Sequence, residues 1–114
     1  MRFYFVLFSI FMITPAVQGG SIDQASPEQG KALFETHCAA CHGLDGRGKI
    51  PGISDLNQDI GKLAQDWQQT FERVRDGFQD PGSIMAMPAR GGADLSDSEL
   101  WDALAYINAA FGKR

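Results

Sequence analysis

The chain has 114 residues, with 14 acidic and 10 basic side chains, a net charge of −4 and two cysteines. That length supports one domain. The acidic balance excludes general nucleic-acid binding, which needs a basic surface.

The first segment, MRFYFVLFSIFMITPAVQGG, has Arg2, then an apolar run from Phe3 to Ile13, then small residues. That order predicts a secretory signal peptide over residues 1–19. The apolar run falls short of the ~20 residues of a membrane span, so no stable membrane insertion is expected after cleavage. Cleavage after Gly19 fits better than cleavage after Ala16, and it leaves residues 20–114 as the mature, exported domain. It removes Arg2 and takes the net charge from −4 to −5. Free thiols are unusual in an oxidising compartment, so both cysteines should be in covalent use. A disulfide between Cys38 and Cys41 would close only a tiny loop and stabilise little.

Ser26-Pro27-Glu28-Gln29 predicts a helix start, with Ser26 as N-cap, Pro27 in the first turn and Gln29 completing a capping box. Leu33, Phe34, Cys38 and Cys41 then follow helical spacing. Gly30 lowers helix propensity and implies close approach of another element. Residues 43–61 carry glycine, proline, aspartate and asparagine without a period, and read as a long loop. Asp66 and Gln69 cap a second helix, whose apolar stripe is Trp67, Phe71, Val74 and Phe78 and whose end is Gly77. Residues 79–94 read as a second long loop. Ser96 and Glu99 cap a last helix, with Leu100, Ala103, Leu104, Ile107 and Phe111 on its apolar face and Gly112 as stop. No segment alternates like a strand. The expected fold is all-α, with three main helices and two long loops.

Cys38-Ala39-Ala40-Cys41-His42 fits Cys-x-x-Cys-His, the attachment signal for c-type haem. Thiols three apart on a helix lie on one side and can add to the two vinyl groups of one haem edge. His42 follows at once and can ligate iron. Zinc needs about four ligands, and no further cysteine exists to complete such a site. A redox Cys-x-x-Cys would need a βαβ context, and a structural disulfide leaves His42 unexplained. The sixth iron ligand is expected from Met85 or Met87 in a polar, glycine-rich loop. Pro88 biases Met87 to extended backbone, which favours Met87 as ligand, with Met85 beside it. His37 adjoins Cys38 and cannot easily reach the other face of the ring. Trp67 and Trp101 are read as core.

GKALFETHCAACHGLDGRG and MPARGGADLSDSELWDALAYI resemble the class I c-type cytochromes, over nearly all of the mature chain. The resemblance implies helices and loops wrapped around one covalently attached haem c with its iron. It implies that Gly30 and Phe34 lie where the first helix crosses the last, near Tyr106. It also implies that the Pro51 carbonyl accepts a hydrogen bond from His42, orienting the ring.

These readings point to a periplasmic electron carrier, not an enzyme, with one haem ligated by His42 and Met87. Redox proteins should dock weakly at the exposed haem edge, with the chain a monomer or a small complex subunit. Arg47, Lys49 and Arg90 suggest a local positive rim there. The alternatives are a haem subunit of a periplasmic dehydrogenase or oxidase, and a haem sensor or enzyme with an open sixth site.

Overall fold

A computed structural model describes residues 2–4, 9–12 and 20–112. The expected cleavage point after Gly19 lies outside the described residues. Among them are five α-helices: α1 (Pro27–His37), α2 (Ala39–His42), α3 (Leu56–Leu63), α4 (Trp67–Asp76) and α5 (Asp97–Phe111). No strand occurs among the described residues. One antiparallel bridge joins Phe78 to Met87. None of the helices is long and apolar enough to cross a membrane.

The expected caps form with two amendments. Ser96 and Glu99 make both bonds of their capping box at α5, at 3.1 Å each. Ser26 Oγ accepts from the Gln29 N–H at 3.2 Å, but the return bond from Gln29 is replaced. The Ser26 N–H donates to Asp102 Oδ1 of α5 at 2.8 Å. The start of α1 is thus tied to α5 by a buried carboxylate. Asp66 Oδ1 accepts from Gln69 N at 3.0 Å, so half of that box forms as well.

α1 and α5 make the main packing of the molecule. Gly30 is buried, and a Cβ placed there would overlap the Asp102 carbonyl. The helix-weakening glycine is therefore what lets the two backbones touch. One turn on, Phe34 is fully buried, with its ring 5.3 Å from Tyr106 and 5.5 Å from Phe111. The apolar face read for α5 is buried throughout. Trp101 is buried as expected and stacks on Phe71 at 4.5 Å and 3°. Trp67 packs on the edge of the same core.

The expected single loop over residues 43–61 is not one loop. Its second half is α3, capped by Asp55, whose Oδ1 accepts from Asn57 N at 2.9 Å. Leu56 and Ile60 are buried and Leu63 packs on the core. Their spacing of four and three is a helical stripe, obscured in the sequence by Gly52 before it and Gly61 within it. The first long helix is also interrupted. α1 ends at His37, and Cys38 sits at φ −115° and ψ −36° before α2 restarts.

Candidate haem site

Cys38 and Cys41 flank the break between α1 and α2, and His42 closes α2. α2 is held at its start by the backbone of Cys38, whose carbonyl accepts from Cys41 N at 3.3 Å and from His42 N at 3.0 Å. Both cysteines are free thiols. Burial, with a smaller contribution from Cys41, pushes the Cys38 thiol up to about 11. Among the described residues no group of three or more His, Cys, Asp and Glu is placed to hold a metal ion. A thioether is uncharged and suits an apolar wall.

Met87 is brought to this segment by the other half of the chain. It exchanges two backbone bonds with Phe78, Phe78 N to Met87 O at 3.0 Å and Met87 N to Phe78 O at 2.7 Å. Phe78 follows Gly77, the C-cap of α4. The methionine loop is thereby hung from the end of a helix. Cys38, His42 and Met87 line one cavity of about 360 Å³, whose floor includes Leu56, Leu100 and Leu104. The same three residues line an adjoining cavity of about 430 Å³. Cys41, His37 and Met85 reach only the second. The two cavities form one cleft that meets at Cys38, His42 and Met87.

His42 is largely withdrawn from water. Burial lowers its pKa below the usual value, and the nearby Ser54 backbone opposes this in part. Its Nδ1 has no hydrogen-bond partner. The bond expected from His42 to the Pro51 carbonyl is therefore not made. Pro51 is exposed and lines neither cavity, whereas Ser54 lines both. The path of residues 43–55 explains the difference. Gly46, Gly48 and Gly52 all have left-handed φ, at 74°, 85° and 91°, so the loop turns repeatedly and brings Ser54 to the ring instead.

The partly buried thiols of Cys38 and Cys41, the partly buried imidazole of His42 and Met87 on the same cleft fit a covalently attached haem. His37, at the end of α1, lines only the outer of the two cavities and packs against Gly91, where an added Cβ would lie 3.3 Å from the His37 carbonyl. Met85 is 39% exposed and Ile84 beside it 82% exposed.

Gly77 holds the hinge of the methionine loop. It sits at φ 88° and ψ 157°, and a Cβ there would meet Met87 O at 3.1 Å and Ala89 N at 3.2 Å. Such backbone geometry costs a residue with a side chain about 1–3 kcal/mol. Gly77→Ala should lower stability by about 2–4 kcal/mol once the contact is added. Thermal unfolding of the holoprotein measures it, and an unchanged midpoint would contradict this role.

Residues 25–107 match the family described as cytochrome c oxidase, cbb3-type, subunit III. The chain is 32% identical to cytochrome c-555 of Prosthecochloris aestuarii over 95 residues, covering 81% of this chain and 95% of that protein. It is 31% identical to cytochrome c6 of Pyropia yezoensis, covering 90% and 86% of the two chains. It also matches a thiosulfate dehydrogenase of Stutzerimonas stutzeri at 32% identity, but spans only 29% of that longer protein. The small relatives matched over most of their length are electron-transfer cytochromes, not enzymes, and the family carries covalently attached haem c with its iron. The chain belongs to this family as a small class I c-type cytochrome.

Proposed function

We propose that the chain is exported to the periplasm, over a signal peptide of residues 1–19, and that residues 20–114 carry electrons on one haem held by Cys38, Cys41, His42 and Met87. The observation that carries this reading is the meeting of Cys38, His42 and Met87 around one cleft, although Met87 comes from a distant loop. Cys38 and Cys41 would hold the haem through two thioethers, each S–H supplying its sulfur to one carbon of a vinyl group and its hydrogen to the other, with no change in electron count. When bound, the haem supplies one-electron chemistry, its iron cycling between Fe(II) and Fe(III).

The remaining work belongs to the protein. The burial of His42 disfavours its charged form, and the neutral imidazole is the form that ligates a metal. Met87 offers a thioether, which raises the potential of a cytochrome iron. Leu56, Leu95, Leu100 and Leu104 wall the cleft with hydrocarbon, and a dry, apolar surround also tunes the potential. A facing Met87 argues against an open sixth site.

Redox partners would dock at the mouth of the cleft, near Cys41, Ile53, Met85 and Pro88. Arg47 and Lys49 are exposed and remain available to a positive rim. Arg90 does not, because it is engaged with Leu95 and Asp97. Electron-transfer contacts are small, under ~1,200 Å², so docking there would be brief.

Expression with a c-type maturation system tests the attachment. Intact mass should exceed that of the chain by one haem, and the excess should survive acid denaturation. Cys38→Ser with Cys41→Ser should leave no covalent haem and little folded protein, because a domain this small depends on the cofactor for core. A folded, helical double variant would contradict the second expectation. A denatured wild-type chain that sheds its haem would contradict the first.

A further inference from the structure

Arg90 was read from the sequence as a surface charge, and the structure gives it other work. Its backbone lies at φ 54° and ψ 31°, the one left-handed non-glycine residue among the described residues. Gly91 and Gly92 follow at φ 66° and 76°. Three left-handed residues in succession turn the chain sharply just after Met87 and Pro88. The glycines adopt that backbone freely, but an arginine does so at a cost. Something must hold it there.

Two contacts do so. Arg90 Nη1 donates to the Leu95 carbonyl at 2.8 Å, and Arg90 Nη2 pairs with Asp97 Oδ1 at 2.8 Å. Leu95 is buried and immediately precedes Ser96, the N-cap of α5, and Asp97 is the first residue of that helix. One guanidinium therefore closes residues 90–97 on themselves and fixes the methionine loop to the rigid start of α5. From the other side, Phe78 holds Met87 by its two backbone bonds. Asp76 also faces Arg90, but it is engaged by Arg75 in two bonds of 2.8 Å. Cutting the guanidinium contacts would leave Met87 tethered on one side only.

We propose that Arg90 is a positioning residue, a latch between the methionine loop and α5 that sets how firmly Met87 is held in the haem cleft. This rests on Met87 being the axial ligand. The bond to Leu95 is the stronger half. It is charge-assisted and reaches the carbonyl of a buried residue, and such bonds are about twice as strong as neutral ones. The Asp97 carboxylate is 61% exposed, and exposed ion pairs contribute little.

The test is competition for the iron in the oxidised holoprotein. Added imidazole displaces the methionine and removes its charge-transfer band, so the concentration needed measures how firmly the methionine is held. Arg90→Ala and Arg90→Gly should both lower that concentration about 10-fold, equivalent to 1.4 kcal/mol. Asp97→Asn should change it by less than about 3-fold, as expected for an exposed pair. Arg90→Gly is the decisive variant, because it removes the latch and relieves the left-handed strain together. A glycine variant that resists imidazole like the wild type would overturn the proposal.

Amide exchange gives a second readout that does not depend on the iron ligand. The Met87 N–H, bonded to Phe78 O, should exchange about 10-fold faster in Arg90→Gly, while amides in the middle of α5 stay unchanged. Equal acceleration everywhere would reduce Arg90 to general stability and also overturn the proposal. A wild-type protein without the methionine band overturns the ligand assignment and this inference together. A band that is present but indifferent to Arg90 overturns this inference alone.

Discussion

Gly30→Ala should be the most damaging single-methyl change in this molecule. Alanine is favoured over glycine inside a helix by about 1 kcal/mol, so propensity alone predicts a more stable protein. Packing predicts the reverse, and packing is the larger effect. The added Cβ would fall on the Asp102 carbonyl, with the Ala103 nitrogen close behind at 3.0 Å. These are backbone atoms in the middle of α5 and cannot swing aside as a side chain can. The two helices would have to separate. That would loosen Phe34 from Tyr106 and Phe111, and Ser26 N–H from Asp102.

Overpacking typically costs about 1–3 kcal/mol and sometimes more. With a backbone obstacle, a net loss of about 3–5 kcal/mol is expected, a large share of a stability of about 5–15 kcal/mol. At roughly 4–8 °C per kcal/mol for a domain of this size, the melting temperature should fall by tens of degrees. Lys31→Ala, one residue on and exposed, should stay within about 0.5 kcal/mol of wild type. A Gly30→Ala variant at least as stable as wild type would show that the helices do not meet at this position.

Met87→Ala should abolish methionine ligation, whereas Met85→Ala should leave it intact. Met87 lines both halves of the cleft and is fixed through its own backbone to Phe78. Met85 lines only the outer half, is partly exposed, and sits in a turn held by Ser83 Oγ, which donates to the Met85 carbonyl at 2.8 Å. The Met87 variant should lose the methionine-to-Fe(III) charge-transfer band completely. It should bind carbon monoxide in the ferrous state and have a lower reduction potential, because a thioether ligand raises the potential. The Met85 variant should keep the band and lose no more than about 0.5 kcal/mol of stability, as for other exposed positions. Loss of the band in the Met85 variant alone would reverse the assignment.

The parts of this protein that were legible in its sequence are those fixed by short-range chemistry. Cys38, Cys41 and His42 carry the Cys-x-x-Cys-His spacing of haem attachment, and the structure places Cys38 and His42 on one cleft. α5 is written twice, in its capping box and in its apolar stripe. Gly30 could be read as a contact because a glycine inside a capped, apolar helix costs stability that only packing can offset. Pro88 set Met87 apart from Met85 in the sequence, and in the structure Met87 lines both cavities and Met85 only one.

What the sequence obscured depended on the path of the glycine-rich segments. Leu56, Ile60 and Leu63 carried the stripe of α3, but Gly52 before it and Gly61 within it suppressed the helical reading. The same segment misdirected the partner of His42, since left-handed turns at Gly46, Gly48 and Gly52 carry Pro51 out to solvent and Ser54 in to the ring. Ser26 lost its expected partner to Asp102, a carboxylate distant in sequence and adjacent only after α1 and α5 cross. Arg90 looked like a rim charge because nothing local reveals a left-handed arginine or the carbonyl that holds it.

The ligand pair is the centre of this account, and the absorption spectrum of the oxidised wild-type protein tests it most directly. A low-spin spectrum with the weak methionine-to-Fe(III) band is the result expected from His42 and Met87 facing one cleft. A high-spin spectrum without that band would contradict the assignment and point to an open sixth site.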